Sequence, residues 1–478
     1  MTAWDGLRMI DHKLKNDLHR IVGDAGLITD PDLIAPRLVE PRGKYHGATS
    51  LMLRPATTAE VAACVAACHK SHQPIVPQGG NTGNVGGQTP PDDGSAIILS
   101  LDRMTGLLGI DKDNQSISMA AGMTLATAQS HAADAGMYLP LSMASEGSCT
   151  IGGNIATNAG GTAVLRYGNT RAQVLGLEAV MADGQTINLM NGLRKDNTGY
   201  DLKQLLIGSE GTLGIVTAAR LALVPAPQQR ATAMVALDTP EQALALLTHM
   251  QTQTGNGLTA FEFMPQVGLQ FLATHRPDLP QPFAPLPAWA VLLEATAGQG
   301  SDLAPRLEAA LTGALDAAIA ADVVIAQSGQ QADIFWALRE SLPAAQKPEG
   351  GSIKHDIAVP VSAVPAFLNE AEQLVTTLCP GVRIVAFGHM GDGNIHYNLT
   401  QPAGADTDAY LARWDEVQTA VHDLVVHYGG SISAEHGIGQ MKVAHLERYK
   451  DPVALAAMRA IKRTLDPHNI LNPGKVLA

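Results

Sequence analysis

Only four cysteines, Cys64, Cys68, Cys149 and Cys379, occur in 478 residues. They supply no disulfide framework of the kind that staples small secreted domains, which fits a reducing compartment. They form no iron–sulfur ligand pattern either, which excludes a cysteine-held cluster of that kind. Charge is scarce, at 16% of residues, and its balance is acidic, with a formal net charge of −13. No basic surface is concentrated anywhere, which excludes a nucleic-acid role because phosphate backbones are bound by clustered cations. No run of 18 or more apolar residues appears, which argues against a membrane span. The N-terminal stretch MTAWDGLRMIDHKLKNDLHRIVGD has no apolar signal core, and the expectation is a cytoplasmic protein. With 46% apolar residues the chain reads as globular, and its length suggests two or three domains.

Glycine is what the chain has in abundance, and it is placed unevenly. After a helix opened by Thr57 and a strand at 74–76 comes PQGGNTGNVGG, residues 77–87, with five glycines in nine positions. A Rossmann turn would show G-x-G-x-x-G opening a helix. Neither that spacing nor a helix signal is present, since TPPDDG continues as loop. Such a loop can still cradle an anion by presenting successive backbone N–H groups. A second passage, EGSCTIGGNIATNAGG from 146 to 161, is almost free of charge but rich in small hydrogen-bonding residues, as a cofactor laid against backbone requires. A third, IGSEGTLGIV from 207 to 216, leads into a strand. Pro225-Ala226-Pro227 marks a linker. Beyond it strands and helices alternate, which predicts an α+β domain whose sheet is covered by helices on one side.

The reactive side chains gather late in the chain. In VAFGHMGDGNIHYNL, residues 385–399, two apolar runs flank Asp392-Gly393, a strong signal for a two-residue type I′ hairpin turn. That turn would set His389 opposite His396, with Cβ atoms roughly 4.5–5.5 Å apart, and Asn398 on the same face. Glu435-His436, in the glycine-flanked SAEHG, offers a third ligand. Two histidines and a carboxylate leave one position open on a catalytic zinc. On the strand beginning at Ser352, Lys354 and Asp356 share one face while His355 and Ile357 share the other. A zinc hydrolase with merely structural glycine loops also fits these residues.

Taken together, PQGGNTGNVGG, the passage from Glu146, IGSEGTLGIVT, FGHMGDGNIHYN, AEHGIG and the closing LDPHNILNPGK resemble the FAD-linked D-2-hydroxy acid dehydrogenases, within the flavoprotein superfamily of vanillyl-alcohol oxidase and p-cresol methylhydroxylase. The resemblance spans residue 40 to the end. It implies an α+β fold: a p-cresol methylhydroxylase-type FAD-binding domain at 1–225, a substrate and metal-binding α+β domain at 226–430, and a helical C-terminal segment at 431–478 that returns to the flavin. It implies that Pro77, Gly79, Gly80, Asn81, Thr82, Gly83 and Asn84 hold the pyrophosphate of FAD. Gly147, Thr150, Gly153, Asn154 and Thr157 would follow the flavin and ribityl chain; Glu210, Gly214 and Ile215 would lie toward the adenine, and Asn472 near the isoalloxazine. Some superfamily members attach FAD to a loop histidine; Asn81 stands in the corresponding loop here, which implies non-covalent FAD. His389, His396 and Glu435 would ligate Zn2+, His436 would be the catalytic base, and Arg339, Lys354 and Asn398 would bind substrate. Pro343 stands where the resemblance implies a small hydroxylic residue in the animal enzymes of the family. The implied reaction is oxidation of a D-2-hydroxy acid by hydride transfer to flavin N5. D-2-hydroxyglutarate, with D-malate, comes ahead of D-lactate or glycolate as substrate. The implied partners are a separate electron acceptor such as an electron-transfer flavoprotein, and a second copy of the chain in a homodimer.

Overall fold

The structure, a computed structural model, describes residues 10–478; the first nine residues of the expected helical lead-in lie outside it. The chain forms two compact units. The first takes the chain up to Gly161, then Gly168–Ala226, and is completed by Glu435–Ala478. The second consists of Thr162–Tyr167 and Pro227–Ala434.

In the first unit, strands β1 (Leu27–Ile28), β2 (Met52–Leu53), β3 (Ile75–Gln78) and β4 (Ile97–Ser100) form a sheet in the order β1-β2-β4-β3, with β4 parallel to both neighbours. Ile97, Ile98, Leu99 and Ser100 are all buried, as a parallel strand covered on both faces requires. The helix Thr58–Lys70 that precedes β3 starts where Thr57 accepts the Glu60 N–H through its side chain. A second, antiparallel sheet contains β5 (Leu107–Asp111), β6 (Ser116–Ala120), β8 (Val174–Val180), β9 (Thr186–Leu189) and β10 (Ile215–Ala222) in the order β5-β6-β10-β8-β9. A small pair joins β7 (Met137–Tyr138) to β11 (Val224–Pro225). The chain end closes this unit on the open edge of β3. Ile75 N–H donates to Ile470 O at 2.7 Å, and Asn472 N–H donates to Ile75 O at 2.8 Å.

The passage 146–161 contains a helix, Ile151–Thr157. Its two glycines disfavour helix, but Thr150 caps Gly153 N–H and buried Ile151 and Ile155 anchor one side in the core. No helix follows the first glycine loop, in agreement with the non-Rossmann reading.

The second unit is built on one antiparallel sheet of seven strands: β12 (Gln229–Leu237), β13 (Leu258–Pro265), β14 (Trp289–Ala297), β15 (Asp322–Ile325), β16 (Ser352–Ala358), β17 (Arg383–His389) and β18 (Asn394–Thr400), in the order β15-β12-β14-β13-β17-β18-β16. Alternation along β12 shows how it divides the unit, since Ala233, Val235 and Leu237 enter one core and Met234 and Ala236 the other. The larger core takes the helices Pro240–Thr254, Leu303–Asp316, Val364–Leu378 and Trp414–His427. The expected helical layer is thus present. A smaller second layer, Gln266–His275 and Gly329–Ala345, covers part of the other face. The helix carrying Arg339, Gly329–Ala345, starts where Ser328 accepts the Gln331 N–H as its cap.

Candidate functional site

In the first unit the three glycine-rich passages pack on one another. Gly80 has no room for a side chain, since a Cβ there would lie 1.9 Å from the carbonyl oxygen of Ser148. At Gly79 it would meet Thr150 Oγ1 at 2.3 Å. Asn81, held at a positive φ of 56°, donates through Nδ2 to Val39 O at 3.0 Å. Gly83 is closed over by Gln88, whose Nε2 donates to Gly83 O at 2.9 Å. Further along, Thr157 Oγ1 donates to Gly153 O, and Asn154 is buried against Cys149. Gly147 has open space around it. Pro77 lies in β3, and Thr82 and Asn84 sit half-buried in the loop it feeds.

Several buried polar atoms of this cradle accept no hydrogen bond from the protein: Gln78 Oε1, Asn81 Oδ1, Thr89 Oγ1 and Asn472 Oδ1. A buried polar atom without a partner is costly unless a ligand satisfies it. A cradle of close-packed backbone with such atoms fits a large polar cofactor such as FAD.

The residues read as adenine-side contacts are placed differently from one another. Ile215 turns its side chain into the core and pairs with Val180 in the sheet, and a Cβ on Gly214 would meet Leu206. Glu210 is buried at a positive φ of 52°, and its carboxylate accepts the N–H groups of Ile438 at 2.7 Å and Gly439 at 2.8 Å. Burial pushes its carboxyl pKa up against the downward pull of those two N–H groups and of Lys442 and Lys475. Glu210 therefore pins the segment that begins Glu435-His436-Gly437. Asn472, with φ 46°, donates through Nδ2 to Gly87 O and Glu210 O, tying the chain end to two of the glycine passages.

In the second unit the reactive side chains share one face of β16, β17 and β18. The hairpin register differs from the sequence expectation: His389 pairs with Asn394, and Phe387 with His396. The connection is a four-residue 3-10 turn, Met390–Asp392 closed by Gly393 at φ 78°, instead of a two-residue type I′ turn. Gly393 O accepts the Val359 N–H, and a Cβ on Gly393 would lie 2.0 Å from Val359 O. Pairing with the end of β16 therefore overrides the local turn preference. Because opposed residues share a face, His389 and His396 still lie together, diagonally, with ring centroids 5.6 Å apart.

Across the next strand pair Asp356 faces His396 and Lys354 faces Asn398, as the alternation along β16 predicts. Asp356 Oδ1 is 3.8 Å from His396 Nδ1 and accepts Asn394 Nδ2–H at 3.0 Å. Asn398 donates to Gln346 Oε1 at 3.1 Å. Arg339, buried on its helix, stacks over Phe387 at 4.7 Å and donates from both Nε and Nη2 to Glu262 at 2.8 Å. Glu262 also accepts from His389 Nδ1 at 2.6 Å. Burial alone would raise its pKa; the charges of His389 and Arg339 outweigh that and hold it below the usual range. Glu262 was missed from sequence. Its signal is a lone acid inside the apolar strand LTAFEFMP, where an unpaired charge would not be tolerated.

Imidazoles, a carboxylate and buried hydrogen-bonded neighbours form a donor set chemically suited to zinc. Glu435 and His436 begin the returning segment of the first unit, with Glu435 Oε1 3.8 Å from His436 Nε2. Gly160 leaves room for Glu435, because a Cβ there would lie 2.7 Å from Glu435 Oε2.

Comparison with known proteins identifies this architecture. Residues 49–190 match an FAD binding domain, and residues 226–476 match the C-terminal domain of FAD linked oxidases. The chain is 38% identical to a probable mitochondrial D-2-hydroxyglutarate dehydrogenase of Oryza sativa subsp. japonica, over 96% of this chain and 80% of that protein. It is 38% identical to the mitochondrial D-2-hydroxyglutarate dehydrogenase of Bos taurus, over 96% and 82%. With the D-2-hydroxyglutarate dehydrogenase of Stutzerimonas stutzeri it shares 36% identity over 98% of this chain and all of the other. Among solved structures, p-cresol methylhydroxylase superposes with a TM-score of 0.77 at 17% identity over 97% of this chain and 96% of its own. Alkyldihydroxyacetonephosphate synthase superposes at 0.74 and 18% identity, over 98% and 85%. Among the described residues no helix is long and apolar enough to cross a membrane. The chain is an FAD-binding oxidoreductase and belongs to the FAD-linked oxidase family, among its D-2-hydroxyglutarate dehydrogenases.

Proposed function

We propose that this chain oxidises D-2-hydroxyglutarate, and also D-malate, to the 2-oxo acid. The observation that carries the reading is the polar face of β16–β18, which gathers two histidines, Asp356, Lys354, Asn398 and the buried Arg339. The names of relatives matched over nearly the whole chain support it. Bound FAD, held non-covalently by residues 77–84, 147–157 and Asn472, would supply a hydride acceptor. Zn2+ would supply Lewis acidity toward the 2-hydroxyl, held by His389, His396 and Glu435. Asp356 joins that set as a further candidate on the strength of its register with His396.

Arg339 offers a planar fork to a carboxylate and Lys354 a point charge, so a dicarboxylate can be gripped at both ends. Asn398 orients the acid through its amide. His436, beside Glu435, takes the hydroxyl proton as general base. All four cysteines are free and buried, which supports a separate electron acceptor, of the electron-transfer flavoprotein type. The reading includes a homodimer working in the cytoplasm.

The test is anaerobic mixing of the purified protein with D-2-hydroxyglutarate, L-2-hydroxyglutarate and D-lactate in turn, before and after chelation, following the flavin absorption band. Bleaching by the D-dicarboxylate alone, lost with chelation and restored by zinc, is expected. Bleaching by D-lactate in preference would move the substrate to a monocarboxylate, and a colourless protein would return the site to a zinc hydrolase.

A further inference from the structure

Glu262 is given no role by the functional reading above, yet it touches two of the groups that reading uses. We infer that Glu262 is a positioning residue that sets the tautomer of His389 and the presented edge of Arg339; the inference rests on the zinc and substrate roles proposed above. Glu262 lies mid-strand on β13, 1% exposed, between Phe261 and Phe263, which point into the opposite core. Its register partner on β17 is His389. One carboxylate oxygen, Oε1, accepts from His389 Nδ1 at 2.6 Å, and the other, Oε2, accepts from Arg339 Nε and Nη2 at 2.8 Å.

Two consequences follow. A carboxylate can only accept, so Nδ1 of His389 carries a proton, and in the neutral ring that binds a metal the lone pair resides on Nε2. The Nε–Nη2 edge of Arg339 is committed to Glu262, so a substrate carboxylate meets the guanidinium from its Nη1 side, with Phe387 stacked beneath. A purely structural role, neutralising two buried cations, would need neither the tautomer nor the edge.

Glu262→Gln separates these. The amide has one acceptor and one donor, but both partners are donors. If its oxygen keeps Arg339, its NH2 confronts Nδ1, and His389 must move its proton to Nε2. If its oxygen keeps His389, the NH2 faces the guanidinium and pushes it aside.

The experiment compares wild-type and Glu262→Gln holoenzymes for Zn2+ retention against a competing chelator, FAD content, melting temperature, and KM and kcat for D-2-hydroxyglutarate. FAD content should be unchanged. Zn2+ affinity should fall by about 10- to 100-fold, KM should rise, and excess Zn2+ should restore kcat while KM stays high. Glu262→Asp keeps the charge and both acceptors and should lie between the two; if Glu262→Gln does not fold, Glu262→Asp carries the test. A variant that holds Zn2+ and substrate as the wild type does, beside an active wild type, overturns the inference alone. A wild type without zinc or without turnover overturns the functional reading and this inference with it.

Discussion

Gly80→Ala tests the cradle most directly, because the structure says what the added methyl would strike. The new Cβ would stand 1.9 Å from Ser148 O, 2.8 Å from Ser148 C and 3.1 Å from Cys149 Cα. Ordinary carbon contacts begin near 3.5 Å, so the shortfall is about 1.5 Å. None of the opposing atoms belongs to a side chain that can swing away. Cys149 and Thr150 are buried, and Leu125 N–H is bonded to Cys149 O at 3.0 Å, so the passage beneath is held from below. The loop at 77–87 must therefore be the part that moves. Overpacking of this kind costs about 1–3 kcal/mol; with rigid backbone opposite, the upper end applies, roughly a 150-fold loss of FAD affinity. Gly106→Ala is the internal control, because nothing lies within 4 Å of its added methyl, its φ is not left-handed, and it lies outside the glycine passages. Both variants would be stripped of flavin and titrated with FAD by fluorescence quenching, with thermal melts in parallel. Gly80→Ala binding FAD with wild-type affinity and melting with the wild type would refute the packing argument and the assignment of this loop to the cofactor.

Replacing His436 with Asn should abolish turnover with FAD still bound at full stoichiometry; a wild-type rate would remove it from the role of base. Burial lowers the Lys475 pKa to about 8, with Glu210 pulling the other way. Its unfolded form binds a proton up to about 10.4, so the fold carries a penalty for the charged lysine below pH 8 that fades as pH rises from 8 to 10.4. Against Lys475→Met, the wild type should therefore gain relative stability across that window, measured by denaturant midpoints, and parallel curves would sink the assignment. Leu471→Ala removes a fully buried side chain beside β3 and should cost about 2–5 kcal/mol, read as an earlier unfolding midpoint for the first unit with the second unit's transition unmoved.

What was legible in the sequence followed from local chemistry. Thr57 announces a helix start where the structure has it. Alternation along 352–358 correctly separates Lys354 and Asp356 from His355, whose Nδ1 is 2.8 Å from Tyr397 O on the buried side. Where tertiary structure outweighs local preference the reading fails. Asp392-Gly393 makes a longer turn because Val359 pairs with Gly393. Glu262 is 127 residues from His389 in sequence, and only the strand order β13-β17 brings them together. The pairing of β10 with both β6 and β8 is likewise a matter of topology that no local pattern encodes.

The Ile75 bridge to Leu471 has a bearing on how the chain is made. Ile75 emerges from the ribosome early, whereas the segment that occupies its open edge comes nearly 400 residues later. Throughout synthesis the first unit waits with Ile75 uncovered, and all of the second unit is translated in between. At 5–20 residues per second that interval is roughly 20–80 s. An exposed strand edge is a template for wrong pairing during such a wait. Fusing the 435–478 segment ahead of the first unit would shorten it, and the yield of correctly folded protein should rise.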